Sequence, residues 1–105
     1  MRRWDGFMIM KYITTEGSTA IIKVNGILGI NVVRTLEDEF SRAQEIGCNN
    51  VIYDLSNTES IDSVGLACMM NINKKIKERP KLKNVNTIIR GLLETSELIE
   101  DFDVE

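Results

Sequence analysis

The spacing of apolar residues changes several times along this chain, and each change marks an element. Residues 7–14, FMIMKYIT, predict a strand; the polar EGS after them predicts a turn; and residues 19–24, TAIIKV, apolar and β-branched, predict a second strand, so that the two form a hairpin. From Asn31 the period becomes helical. Val33, Leu36, Phe40 and Ala43 recur on one side, with Glu37, Asp38, Glu39, Arg42 and Gln44 largely on the other. Asn31 is a candidate N-cap and Gly47 a natural left-handed stop, which predicts a helix over 32–46.

The next apolar run, NVIYDL, lacks polar alternation and reads as a central strand covered on more than one face. A helix over 63–79 follows, closed by Pro80, the only proline, which cannot continue it. The polar stretch KLKNVNT predicts a strand that is short, displaced toward VNTII, or weakly paired. The last amphipathic segment covers 88–99, with Ile88, Leu92, Leu93 and Leu98 or Ile99 on one face. Strand, helix, strand, helix at such short connections implies parallel pairing through right-handed crossovers. The expected class is α/β, a sheet opened by an antiparallel hairpin with helices packed on it.

At 105 residues the chain makes one domain with one modest core, and it shows no repeat, linker or low-complexity tract. If Met8 or Met10 is the true start, residues 1–7 are a dispensable extension. The apolar runs are all far shorter than the roughly 20 residues that cross a bilayer, so a cytoplasmic protein with no membrane insertion is expected. A net charge of −3 argues against nucleic acid as the main partner, since phosphate binding needs a basic surface. The one basic stretch, NKKIKERPKLK, is read as the solvated end of a helix and its following loop.

Cys48 and Cys68 stand far apart and in no metal-binding or redox spacing, so each is read as a buried or idle thiol, with no metal or cofactor implied. The chain has no histidine, which removes every Ser-His and Cys-His arrangement.

The helix opening at residue 63 carries two apolar faces. Leu66, Met69, Met70 and Ile76 form one broad arc toward the sheet. Val64, Cys68 and Ile72 run four residues apart and lean away from it. Ile72 is expected to touch the C-terminal helix, while Val64 and Cys68, near the helix start, are expected to face solvent and a partner. Asp62 and Ser63 sit side by side at the junction of strand and helix. Either one would cap the helix, a contribution of roughly 1 kcal/mol. One cap suffices, so the second polar residue needs another reason. The unpaired N–H groups and dipole of a helix start also accommodate a phosphoryl group.

The run VIYDLSNTESIDSVGLACMMNINKKIKER resembles the signature of the STAS domain family, the anti-sigma factor antagonists: an apolar strand ending in D-L-S, a short loop, then D-S-x-G-L opening a helix. The hairpin, VNGILG and, more weakly, LLETSEL are similar to the rest of the family pattern, so the resemblance covers nearly the whole chain. It implies a STAS-like mixed sheet of four to five strands with three to four helices. In bacterial members the serine after the aspartate is phosphorylated by an anti-sigma factor that is also a serine kinase of GHKL type, and a PP2C-type phosphatase restores it. The bare form binds the anti-sigma factor and frees a sigma factor.

On that motif Ser63 is the phosphoacceptor and Asp62 its local acid. The implied docking surface takes in Asn25, Gly26 and Ile27; Ser60, Ile61, Asp62, Val64 and Gly65; and Cys68 and Ile72. This chain departs from the pattern at Gly29, where many members carry an acid, and at Val64, where the motif commonly has a second serine. Two alternatives stand beside this reading. One is a constitutive subunit of a lipid-transport or stress-signalling assembly; the other is an enzyme using Ser63 as nucleophile with lysine or aspartate help. The expectation is a phosphorylation-switched binding module and not an enzyme.

Overall fold

The computed structural model describes residues 7–105. Apart from Phe7, the extension expected over 1–7 lies outside the described residues. The chain folds as β1 (Phe7–Ile9), β2 (Ile13–Glu16), β3 (Thr19–Lys23), β4 (Gly26–Leu28), α1 (Val33–Glu45), β5 (Asn50–Asp54), β6 (Thr58–Ile61), α2 (Ser63–Asn73), β7 (Lys81–Lys83), α3 (Thr87–Thr95), a 3-10 turn (Ile99–Asp101) and β8 (Asp103–Val104). Six strands form one sheet in the order β1-β2-β3-β5-β7-β8, and β4 pairs with β6 in a separate parallel ribbon. The opening is antiparallel, while β3, β5, β7 and β8 are mutually parallel, the last three each reached through a helical crossover.

The α/β class, the mixed sheet and the opening hairpin match the sequence reading. The main sheet is wider because residues 7–14 fold into two strands and the C-terminal residues add another. The chain reverses at Met10–Tyr12, where Met10 N donates to the Ile13 carbonyl at 2.8 Å. The backbone N–H groups of Lys11, Tyr12 and Ile13 all donate to the carboxylate of Glu39 on α1, at 3.0, 2.8 and 3.0 Å. Glu39, expected on the polar side of its helix, is therefore buried, with 5% of its surface exposed.

The core lies between one face of the sheet and the helices. Ile13, Ile22, Tyr53 and Leu82 stand opposite one another from strand to strand and are all buried. Leu36, Phe40 and Ala43 of α1, Met69 and Ile72 of α2, and Ile89 and Leu93 of α3 belong to the same core. In β5 only Val51 and Tyr53 are buried, and Ile52 is half-buried, so this strand has one closed face rather than two. The Tyr53 hydroxyl donates to Asn73 Oδ1 at 2.8 Å, which ties the end of α2 to the central strand.

Helix ends follow local chemistry. α1 stops as expected at Gly47, which takes φ +103; Gly47 N donates to the Gln44 carbonyl and Cys48 N to that of Ala43, a Schellman closure. Its start differs: Val32, not Asn31, is the N-cap, without a side-chain bond, and the chain enters through Val32 N and Val33 N donating to the Gly29 carbonyl. α2 ends at Asn73, well before Pro80, because the Lys-rich segment beyond it offers little but half-buried Ile76 to the core. β7 is short, as expected, yet firmly paired to β5, and Leu82 has no exposed surface. In α3 the buried residues are Ile89 and Leu93, whereas Ile88 points outward.

Candidate functional site

The β4–β6 ribbon gathers most of the residues singled out in the sequence. Ile27 pairs with Ser60 and Leu28 with Ile61, and the register slips between Gly26 and Ile27, where Gly26 takes φ +86. Thr58, buried, donates its hydroxyl to the Val24 carbonyl at 2.7 Å, and Gly26 N donates to the Asn57 carbonyl at 2.9 Å. These bonds set residues 25–28 beside 58–61 and deliver the chain from β6 directly into α2.

At that junction Asp62 is the N-cap. Its Oδ1 accepts from Gly65 N at 2.8 Å and its Oδ2 from Ile30 N at 3.3 Å, while its own N–H donates to the Leu28 carbonyl at 3.2 Å. Ser63 is the first helical residue and is exposed. The capping role thus falls to Asp62, and the hydroxyl beside it is presented to solvent at a helix start. The glycine two residues on has a steric reason: a Cβ at Gly65 would run into the carbonyl and side chain of Leu28. The first turn of α2 lies against the backbone of β4.

Exposed apolar side chains stand on the segments that meet at this helix start. Val64 is 38% exposed, Ile27 55% and Ile30 68%. Ile88, 69% exposed, opens α3, whose N-cap Asn86 is fixed to β6 by donating Nδ2 to the carbonyls of Thr58 and Glu59. The sequence reading places neither Ile30 nor Ile88 on the docking surface. Ile30 had a visible signal, standing between Gly29 and Asn31 outside the helical period; Ile88 had been assigned to the buried face.

Other residues of the expected surface lie inside. Ile61 and Gly65 are buried beneath the ribbon. Cys68 and Ile72 are 2% and 1% exposed. This corrects the expectation that Cys68 faces a partner: α2 packs against α1, and Cys68 lies beside Glu37 of that helix. Cys68 is consequently a poor nucleophile. Burial, followed by the charge and hydrogen bond of Glu37, pushes its thiol up to about 12, with Lys75 opposing. Cys48 is also buried and free. Neither thiol of the folded protein is expected to react with iodoacetamide at pH 8 on the timescale of a small exposed thiol, whereas both react in denaturant; rapid native labelling of Cys68, read by mass spectrometry, contradicts its placement.

Two open depressions of about 340 and 390 Å3 include neither Ser63 nor Asp62. The first lies over Thr19, Asn50, Ile52 and Lys81, the second over Ile9, Thr14, Lys23 and Asn25. The surface around Ser63 is apolar side chain and exposed hydroxyl, which suits contact with another protein.

The family model described as STAS domain matches residues 11–103. No curated protein sequence matches the chain. Among solved structures it is similar to a putative anti-sigma factor antagonist from Thermotoga maritima, with 23% identity over 88% of this chain and 82% of that one and a TM-score of 0.77. It is similar to the Bacillus cell fate determinant SpoIIAA in its phosphorylated form, with 18% identity over 84% and 83% of the two chains and a TM-score of 0.66. A sulfate transporter family protein from Wolinella succinogenes is similar as well, with 18% identity over 83% and 75% and a TM-score of 0.67.

Proposed function

The chain belongs to the STAS domain family, and we propose that it works as an anti-sigma factor antagonist, a binding module switched by phosphorylation of Ser63. The observation that carries this reading is the division of labour at the start of α2. Asp62 caps the helix, and Ser63 stands exposed beside it within the apolar surface of Ile27, Ile30 and Val64. The bare protein docks this surface on an anti-sigma factor of GHKL serine-kinase type and so releases a sigma factor.

The switch is a phosphoryl transfer in which this protein is the substrate. The Ser63 oxygen bonds to the γ-phosphorus of a nucleoside triphosphate held by the kinase as the bond to the bridging oxygen breaks. The hydroxyl proton passes to a base of the kinase, and the diphosphate leaves. A charge of about −1.5 to −2 then sits next to Asp62, at a surface that had been largely apolar. A PP2C-type phosphatase reverses the state by hydrolysis.

Affinity for the anti-sigma factor kinase, measured by calorimetry with Ser63→Asp and Ser63→Ala, tests the reading. Ser63→Asp is expected to bind about tenfold more weakly or worse, because a charge is placed in a desolvated contact; Ser63→Ala is expected to bind like the parent and to resist phosphorylation. Equal affinity of both variants, with Ser63 always bare in phosphopeptide mass spectrometry of the cellular protein, supports instead a constitutive subunit of a transport assembly. The likeness to the sulfate transporter family protein favours that second reading over any enzymatic one.

A further inference from the structure

Gly29 is buried, and a Cβ placed on it would overlap the carboxylate of Asp62. Its φ lies outside the left-handed region, so glycine is required here by space and not by backbone conformation. The space left free by the missing side chain is filled by the two oxygens that bind Gly65 N and Ile30 N. One carboxylate therefore does two things: it caps α2 and holds the turn through residues 30–32 that opens α1. That turn presents Ile30, one of the most exposed apolar side chains of the docking surface.

We infer that Asp62 and Gly29 form a latch that phosphorylation of Ser63 opens. Taking Ser63 as the phosphoacceptor, which rests on the function proposed above, the new dianion is attached to the residue next to Asp62, at the same helix start. It competes with the carboxylate for the N–H groups of the first turn, Gly65 N among them, and repels it. Asp62 has little freedom within its present site, because Gly29 is packed close against its carboxylate and both oxygens are engaged by Gly65 N and Ile30 N. Its displacement ends the bond to Ile30 N, and the turn carrying Ile30 loses its anchor to α2.

Phosphorylation then changes the shape of the docking surface as well as its charge. The bare and modified states differ in their contacts with one and the same loop, which is the differential interaction a two-state switch needs. Gly29 is the steric condition for the latch: any side chain there drives the carboxylate out and leaves the turn released even when Ser63 is bare.

Amide hydrogen exchange followed by NMR on the full chain tests this, with phosphoserine installed at position 63 during synthesis so that no kinase is needed. In the bare protein the amides of Ile30 and Gly65, both bonded to Asp62, are expected to be protected. Phosphoserine at 63 is expected to speed exchange at Ile30 roughly tenfold or more, as for loss of one bond to a charged acceptor, while amides of β3 and β5 stay as they were. Gly29→Ala is expected to produce the same acceleration at Ile30 with Ser63 unmodified. Unchanged exchange at Ile30 in the phosphoserine protein overturns the latch, as does a folded Gly29→Ala variant that keeps Ile30 protected. Neither readout depends on whether cells phosphorylate Ser63, so failure of the latch and failure of the proposed function are separately visible.

Discussion

Gly65→Ala is expected to destabilise the protein by about 2–3 kcal/mol, the upper part of the roughly 1–3 kcal/mol that forcing an extra carbon into a packed site costs. In an open helix the same substitution stabilises, since alanine exceeds glycine in helix propensity by about 1 kcal/mol. The sign is reversed here by the contact. A Cβ at this position meets the Leu28 carbonyl oxygen and lies 2.7 Å from Leu28 Cδ2. The side chain of Leu28 could shift only within a filled core, because Leu28 itself has no exposed surface. Its carbonyl is less free still, since it accepts the Asp62 N–H that joins β4 to α2.

The helix must therefore lift off the ribbon or the ribbon must bend, and both loosen the junction that presents Ser63. Urea unfolding measures the loss as a lower midpoint at unchanged slope. A Gly65→Ala protein as stable as its parent, or more so, shows that the helix does not approach the strand this closely. The glycine of D-S-V-G-L thus has a physical reason independent of any partner: it sets the distance between the presented serine and the ribbon.

What was legible in the sequence was whatever local pattern determines. The period of Leu36, Phe40 and Ala43 placed α1, and Gly47 ended it, because a helical stripe and a left-handed stop are properties of neighbouring residues. The α2 start was equally plain from Asp62 and Ser63, and the structure decides between them by giving the cap to Asp62. The parts that were missed depend on contacts distant in sequence. β4 and β6 are three and four residues long and pair only with each other, so neither shows a strand pattern of its own.

Cys68 reads as free for a partner, and Ile72 as a contact of the C-terminal helix, because the position of α1 cannot be read from the periodicity of α2. Ile88 fitted the apolar face of α3 by spacing alone, but the Asn86 cap turns the buried side toward Ile89 and Leu93. Ile30 and Gly29 carry the same lesson for the site. Ile30 carries no expectation in the sequence and Gly29 reads as a departure until Asp62 is seen bound to the N–H of the one and filling the space left by the other.

Glu39 was the least legible residue, and its replacement is expected to cost the most. The helix pattern puts it beside Asp38 on the polar side. Yet Oε1 accepts from Tyr12 N and Ile13 N, and Oε2 accepts from Lys11 N. The three N–H groups are available because they lie at the reversal between β1 and β2, beyond the last β1–β2 pair, Ile9 with Thr14. Glu39→Gln keeps the shape but must turn an NH2 group toward at least one backbone donor. The best arrangement leaves Oε1 on Tyr12 and Ile13 and sets the amide against Lys11 N, at an exposed residue where water can relieve the conflict. A loss of about 1.5–3 kcal/mol follows, the worth of bonds to a charged acceptor.

Glu39→Ala removes the acceptor from all three donors and opens a void next to Phe40. Because Ile13 N is buried, water cannot replace that partner without entering the core. About 3–5 kcal/mol is expected, from one buried and one half-buried donor left without an acceptor, at about 1–3 kcal/mol each, together with the lost packing. The order parent, Gln, Ala in urea midpoint, with exchange at Lys11, Tyr12 and Ile13 rising in the same order, supports the clamp. Midpoints within about 0.5 kcal/mol of the parent for both variants, the ordinary scatter of surface substitutions, refute it. The consequence reaches the site because α1 is one rigid element. Its first turn follows directly from the Ile30 turn that Asp62 holds, and its middle is fixed to the β1–β2 reversal by Glu39. The surface around Ser63 is therefore held at both points by carboxylates that accept backbone N–H groups from loops.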